Sequence, residues 1–118
     1  MADVTLTLLV LKTRQVEQVR LFYQALGIEL AEERHGKGPV HFAGRVGDVV
    51  IEIYPLADDG TPVDSSIRLG FAVENLADVV QALQNIGTKV VTLPKETTWG
   101  LQSLVPDPDG RAVELSQK

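Results

Sequence analysis

Two glutamates stand in matching settings. Glu52 lies between Ile51 and Ile53, and Glu114 lies between Val113 and Leu115. Each triplet follows a turn, Val46-Gly47-Asp48 in one case and Pro106-Asp107-Pro108-Asp109-Gly110 in the other. A strand's period of two puts a lone carboxylate on the face opposite its apolar neighbours. There it can serve as a general base or touch a ligand directly, or it can be neutralised by a nearby arginine. Arg68 is the candidate for that neutralising role. Its guanidinium is equally suited to hold the carboxylate or phosphate of a ligand in a two-point grip.

The two histidines are less well placed. His35 sits in the polar turn Glu32-Glu33-Arg34-His35-Gly36-Lys37 and reads as a solvated loop residue. His41 faces the same open side as the glutamates if its neighbour Phe42 turns to the core, and it then becomes a substitute acid–base group. Trp99, the only tryptophan, is followed by a glycine. It reads as a wall or lid for an apolar ligand, or equally as a plug at the edge of a module or dimer. Asp107-Pro108-Asp109-Gly110 lacks the ligand spacing of a calcium loop, and a tight turn accounts for it. The chain has no glycine-rich phosphate loop, no Ser-His-Asp order and no metalloprotease motif.

Composition narrows the classes. The 118 residues are 44% hydrophobic and 23% charged, with a net charge of −5 and no basic run, which argues against nucleic acid as a partner. The absence of cysteine excludes thiol chemistry, disulfides and thiolate metal sites. No apolar run approaches the roughly 20 residues of a membrane span. The start, Met1-Ala2-Asp3-Val4, does not resemble a secretory signal. The expectation is a single cytoplasmic domain over residues 1–118.

The elements that must position these side chains come in a repeated order. Residues 4–11 read as a buried strand and residues 15–26 as a helix, with Val16, Val19, Tyr23 and Leu26 on one stripe and Gly27 as the stop. Strands are expected at 28–34, 40–43 and 48–54, with turns at 36–38 and 44–47. A polar linker over residues 55–65 follows. A second series then repeats the order: a strand at 67–73, a helix carrying Leu76, Val79, Val80, Leu83 and Ile86 up to Gly87, and strands at 89–93, 101–105 and 111–116. Gly27 and Gly87 are 60 positions apart and Glu52 and Glu114 are 62 apart, so the chain reads as an internal duplication of a strand–helix–three-strand unit. The fold class is therefore α+β, with two tandem βαβββ modules at about 4–54 and 66–118. Alternation places Leu6, Leu8, Val10 and Lys12 in one module, and Arg68 in the other, on the faces turned away from the helices.

Three stretches carry a family resemblance: Val19-Arg20-Leu21-Phe22-Tyr23-Gln24-Ala25-Leu26-Gly27, Val49-Val50-Ile51-Glu52, and Asp107 through Leu115. In combination they resemble the glyoxalase/bleomycin resistance/dioxygenase group, the vicinal oxygen chelate (VOC) superfamily, over essentially the whole chain. The resemblance implies two βαβββ modules curling into a half-open barrel around a cavity, commonly in a homodimer. Metal-dependent members carry ligands on the first and last strand of each module, which fall here on Leu8, Glu52, Arg68 and Glu114. Leucine offers no lone pair and a guanidinium no acceptor, so the usual metal is expected to be absent. The leading expectation is metal-independent binding of a small molecule with an apolar part and a charged group. Leu6, Leu8, Val10, Glu52, Arg68, Trp99 and Glu114 would line its cavity, with His41 as a further contact. The rival is a glyoxalase-type lyase, isomerase or dioxygenase with an altered divalent-metal site using Glu52, Glu114 and His41. A third reading is a dimeric interaction module with no small ligand.

Overall fold

The duplication is preserved in three dimensions. In the computed structural model, which describes residues 3–118, strand β1 (Leu8–Thr13) and helix α1 (Val16–Ala25) begin and end 60 positions before their counterparts β5 (Arg68–Val73) and α2 (Leu76–Asn85). Each pair leads into three further strands. These are β2 (Ala31–Glu33), β3 (His41–Val46) and β4 (Val49–Pro55) in the first module, then β6 (Thr92–Thr97), β7 (Gly100–Pro106) and β8 (Ala112–Gln117) in the second. The result is two four-stranded mixed sheets, ordered β1-β4-β3-β2 and β5-β8-β7-β6. The first strand of each module runs parallel to the last, and the remaining neighbours are antiparallel.

The helices form where the apolar spacing requires them. Val19, Phe22 and Tyr23 of α1 and Leu76, Val80 and Leu83 of α2 are buried. They pack with Leu11, Ile51, Ile53, Val105, Val113 and Leu115 in one continuous core. Asn75 caps α2 by accepting a hydrogen bond from the Asp78 amide at 3.2 Å, whereas α1 starts without a side-chain cap. Both helices end at a glycine in the left-handed region, Gly27 at φ 108° and Gly87 at φ 94°.

Several strand boundaries differ from the periodicity reading. The first strand pairs from Leu8 rather than residue 4, because β4 ends its ladder at Val49 and Val50. The third strand does not stop at residue 43 but runs through Gly44 to Val46. A glycine signals a turn in the sequence, but here it admits the neighbouring chain: a Cβ on Gly44 would lie 2.2 Å from the Glu29 carbonyl oxygen. The strand placed at 89–93 begins at Thr92 and runs to Thr97, where a two-residue turn leads into β7.

The modules are joined by buried polar contacts that the turn Asp107-Pro108-Asp109-Gly110 supplies. Asp107 and Arg111 are fully enclosed. Arg111 Nη1 donates to Asp107 Oδ2 at 3.0 Å and to Asp109 Oδ2 at 3.1 Å. Its other nitrogens reach the carbonyl oxygens of Asp64 and of Lys12, both at 2.9 Å. Tyr23 on α1 donates its hydroxyl to Asp107 Oδ2 at 2.7 Å. One side-chain cluster thus ties β1, α1 and the connecting segment to the turn before β8.

Candidate functional site

Each sheet lays one face on the helices and leaves the other open. In the first sheet Leu9, Leu11, Ile51 and Ile53 turn to the core, so Leu8, Val10 and Glu52 occupy the open face. In the second, Leu69, Phe71, Val113 and Leu115 turn to the core and leave Arg68 and Glu114 outward. The expectation that both glutamates take the open face therefore agrees with the burial pattern. The two carboxylates do not share a counter-ion: Glu114 meets the Arg68 guanidinium, and Glu52 meets the His41 imidazole, each in its own sheet.

On the second sheet, Arg68 Nη2 lies 3.1 Å from Glu114 Oε1, with both side chains about half exposed at 58% and 49%. The pair forms the floor of a hollow of about 190 Å³ whose walls include Lys95, Thr97, Gln102 and Leu104. Two cationic side chains face one carboxylate there, so the hollow is locally positive on a protein of net charge −5. An exposed ion pair is worth about 0–1 kcal/mol, and an incoming carboxylate can therefore displace Glu114 from the guanidinium at little cost. Trp99 sits at the tip of the β6–β7 hairpin, 82% exposed, and donates its backbone N–H to the hydroxyl of Thr97, which lines the hollow while Trp99 does not.

On the first sheet, Phe42 packs against the core and His41 turns to the open face. Although it lies on that face, His41 is only 1% exposed. Tyr54 stacks on its ring with centroids 4.0 Å apart, and the His35 ring lies 5.1 Å away. Glu33, directly opposite in the β2–β3 register, brings Oε1 to 3.4 Å from His41 Nε2, and Glu52 Oε2 stands at 3.6 Å from the same nitrogen. Neither approach meets hydrogen-bond geometry, so Nε2 is a buried polar atom without a hydrogen bond. Glu33 Oε1 also lies 3.3 Å from His35 Nε2. Glu33, His35, His41 and Glu52 place one ligand atom each within 4.8 Å of one another.

The structure thus groups Glu52 with His41 and Arg68 with Glu114. Leu6, Leu8 and Val10 form an exposed apolar strip at the edge of the first sheet. Leu6 also lines a hollow of about 160 Å³ at the seam between the modules, together with Leu69 and Phe71. His35 is exposed, as a loop residue should be, yet it belongs to the His41 group. Glu33 and Lys95 were not singled out by sequence reasoning. The short polar segment between two strands was the available signal for Glu33: closing it as a hairpin sets Glu33 opposite His41.

Among the described residues, no helix is long and apolar enough to cross a membrane. The sequence model of the "Glyoxalase/Bleomycin resistance protein/Dioxygenase superfamily" matches residues 5–115. No curated protein gives a significant match. Among solved structures, the chain is similar to TnmS3, described as an antibiotic binding protein from Streptomyces sp. CB03234. Identity is 22%, coverage 99% of this chain and 98% of that one, and the TM-score 0.74. It is also similar to a glyoxalase/bleomycin resistance protein/dioxygenase family enzyme from Burkholderia phytofirmans PsJN, at 18% identity, 94% and 96% coverage and a TM-score of 0.72. A third likeness is TioX from Micromonospora sp. ML1, at 16% identity, 96% and 98% coverage and a TM-score of 0.71. At these identities the likeness is one of fold.

Proposed function

The chain belongs to the glyoxalase/bleomycin resistance protein/dioxygenase superfamily, and from that premise we propose that it binds a small molecule carrying an apolar body and an acidic group. The observation that supports this most is the positive hollow on the second sheet, where Arg68 and Lys95 face the single carboxylate Glu114. A guanidinium already positioned by a weak ion pair grips an incoming carboxylate or phosphate in two places. The antibiotic-binding description of TnmS3 is consistent with this class of ligand.

The hollow measures about 190 Å³, whereas pockets that enclose a drug-sized ligand measure about 300–1,000 Å³. It therefore holds one end of the ligand. We infer that a homodimer supplies the remaining wall, covering the exposed strip of Leu6, Leu8 and Val10 and drawing Trp99 of the hairpin tip toward the ligand. Catalysis is not needed for this reading. The position that metal-dependent relatives use falls on Leu8, Glu52, Arg68 and Glu114. Leu8 donates nothing and Arg68 is a fixed cation, so these four side chains do not fit a metal.

The test is a thermal-shift and fluorescence titration with a panel of aromatic and polycyclic carboxylates. The single tryptophan makes the fluorescence signal attributable to Trp99. Acidic probes should bind, and Arg68→Ala should weaken them about tenfold or more, the worth of a charge-assisted hydrogen bond of about 1.5–3 kcal/mol. Their neutral amides should be little affected by that substitution. Acid binding that is indifferent to Arg68→Ala would refute the assignment.

A further inference from the structure

We propose that Glu33, His35, His41 and Glu52 form a binding site for a divalent cation of the zinc class, on the open face of the first sheet. It lies apart from the four positions that metal-dependent relatives use, sharing only Glu52 with them. It is also independent of the small-molecule reading, which rests on Arg68 and Glu114 in the other sheet.

The starting point is the orientation of His41. Its Nδ1 lies 3.2 Å from the Pro39 carbonyl oxygen. A carbonyl can only accept, so in the neutral ring the proton sits on Nδ1 and the lone pair on Nε2. That nitrogen, on a ring 1% exposed, has Glu33 Oε1 and Glu52 Oε2 beside it at 3.4 and 3.6 Å, and all four candidate ligand atoms lie within 4.8 Å of one another. Three acceptors therefore converge on one small volume with no hydrogen bond to His41 Nε2. A buried polar atom left in this state is costly, and acceptor facing acceptor adds repulsion. A cation among them removes both penalties.

The spacing suits one. Ligand atoms around a tetrahedral zinc, with bonds of about 2.0–2.1 Å, stand about 3.3–3.4 Å apart. The close approaches here are 3.3 Å for His35 Nε2 to Glu33 Oε1, 3.4 Å for His41 Nε2 to Glu33 Oε1, and 3.6 Å for His41 Nε2 to Glu52 Oε2. His35 is exposed and free to close the remaining gap by rotation. Two imidazoles with two carboxylates are a borderline donor set, which selects zinc, cobalt or nickel over calcium and magnesium. The Nδ1–H···O=C bond to Pro39 is the kind of outer contact that orients a metal-ligating histidine. Tyr54, stacked on His41, keeps the ring from swinging out.

The experiment uses the full chain after chelator treatment and dialysis, titrated with Zn²⁺ by calorimetry and with Co²⁺ by visible absorption. One equivalent per chain should bind, with the intense d–d bands of tetrahedral cobalt, and the Tm should rise with added Zn²⁺. His35→Ala and Glu33→Gln alter exposed side chains and leave folding in little doubt. Each should weaken Zn²⁺ at least about tenfold, since even loss of an outer-sphere partner costs about 10–100-fold. Glu114→Gln should leave the cation in place. Failure of the folded, stripped protein to bind either ion would overturn the proposal. Binding that survives both His35→Ala and Glu33→Gln, or is lost in Glu114→Gln, would do the same by moving the cation elsewhere. The small-molecule reading is decided separately, by the response of acidic probes to Arg68→Ala in chelator-treated protein.

Discussion

At the scale of single residues, surroundings rather than identity decide what each ionisable group does. Glu52 and Glu114 occupy equivalent strand positions, yet one faces a buried imidazole at 3.6 Å and the other an exposed guanidinium at 3.1 Å. Tyr23 shows the same dependence. Burial, and then the Asp107 carboxylate that its hydroxyl touches, push the phenol well above its ordinary pKa. A folded pKa raised above the unfolded one means that stability is complete at lower pH and is lost as the unfolded tyrosine ionises. Loss should begin above about pH 10 and approach about 1.4 kcal/mol per pH unit. Tyr23→Phe should cost about 1–3 kcal/mol at neutral pH by leaving Asp107 short of a donor, and should flatten the alkaline loss. Urea denaturation at pH 8 and at pH 11 checks both.

At the scale of elements, the open faces owe their chemistry to strand alternation and to close chain approaches. Gly44 in β3 and Gly70 in β5 look alike in sequence as glycines inside apolar strands. A Cβ on Gly44 would sit 2.2 Å from a backbone oxygen, whereas one on Gly70 meets nothing nearer than 4.0 Å. Gly44→Ala should therefore destabilise the first sheet by about 1–3 kcal/mol, the usual cost of overpacking. Gly70→Ala should change stability by no more than about 0.5 kcal/mol. Chemical denaturation of the pair reads the contrast directly, and equal losses would show that backbone approach is not what keeps Gly44.

At the scale of the whole molecule, the two modules are held in register by a buried ion pair as well as by apolar packing. Arg111 binds Asp107, Asp109 and two backbone carbonyls from earlier in the chain, so it is a joint between modules. Arg111→Ala leaves the Asp107 carboxylate buried without its cation and should cost about 3–5 kcal/mol, seen as a large fall in the thermal midpoint. The same scale governs assembly. If a second chain covers the strip of Leu6, Leu8 and Val10, sedimentation should find a dimer, and Leu8→Glu should shift it to monomer while the fold is kept.

The repeat at 60 positions, the α+β class, the helix stripes and the open-face placement of Glu52 and Glu114 were legible in the sequence. Periodicities of 2 and 3.6 are local properties that survive folding. The family was legible too, because its signature stretches are contiguous. Which partners the charged groups found was not. Asp107 and Arg111 read as an ordinary turn because their other partners, Tyr23, Lys12 and Asp64, lie 47 to 99 positions away in sequence. His35 read as solvated because the register that sets Glu33 against His41 is a property of the hairpin. The sequence by itself determined the two modules and the faces on which the chemistry stands. Only the tertiary structure decided that the carboxylates part company, one joining two histidines and the other an arginine, because charge pairing depends on distance in space.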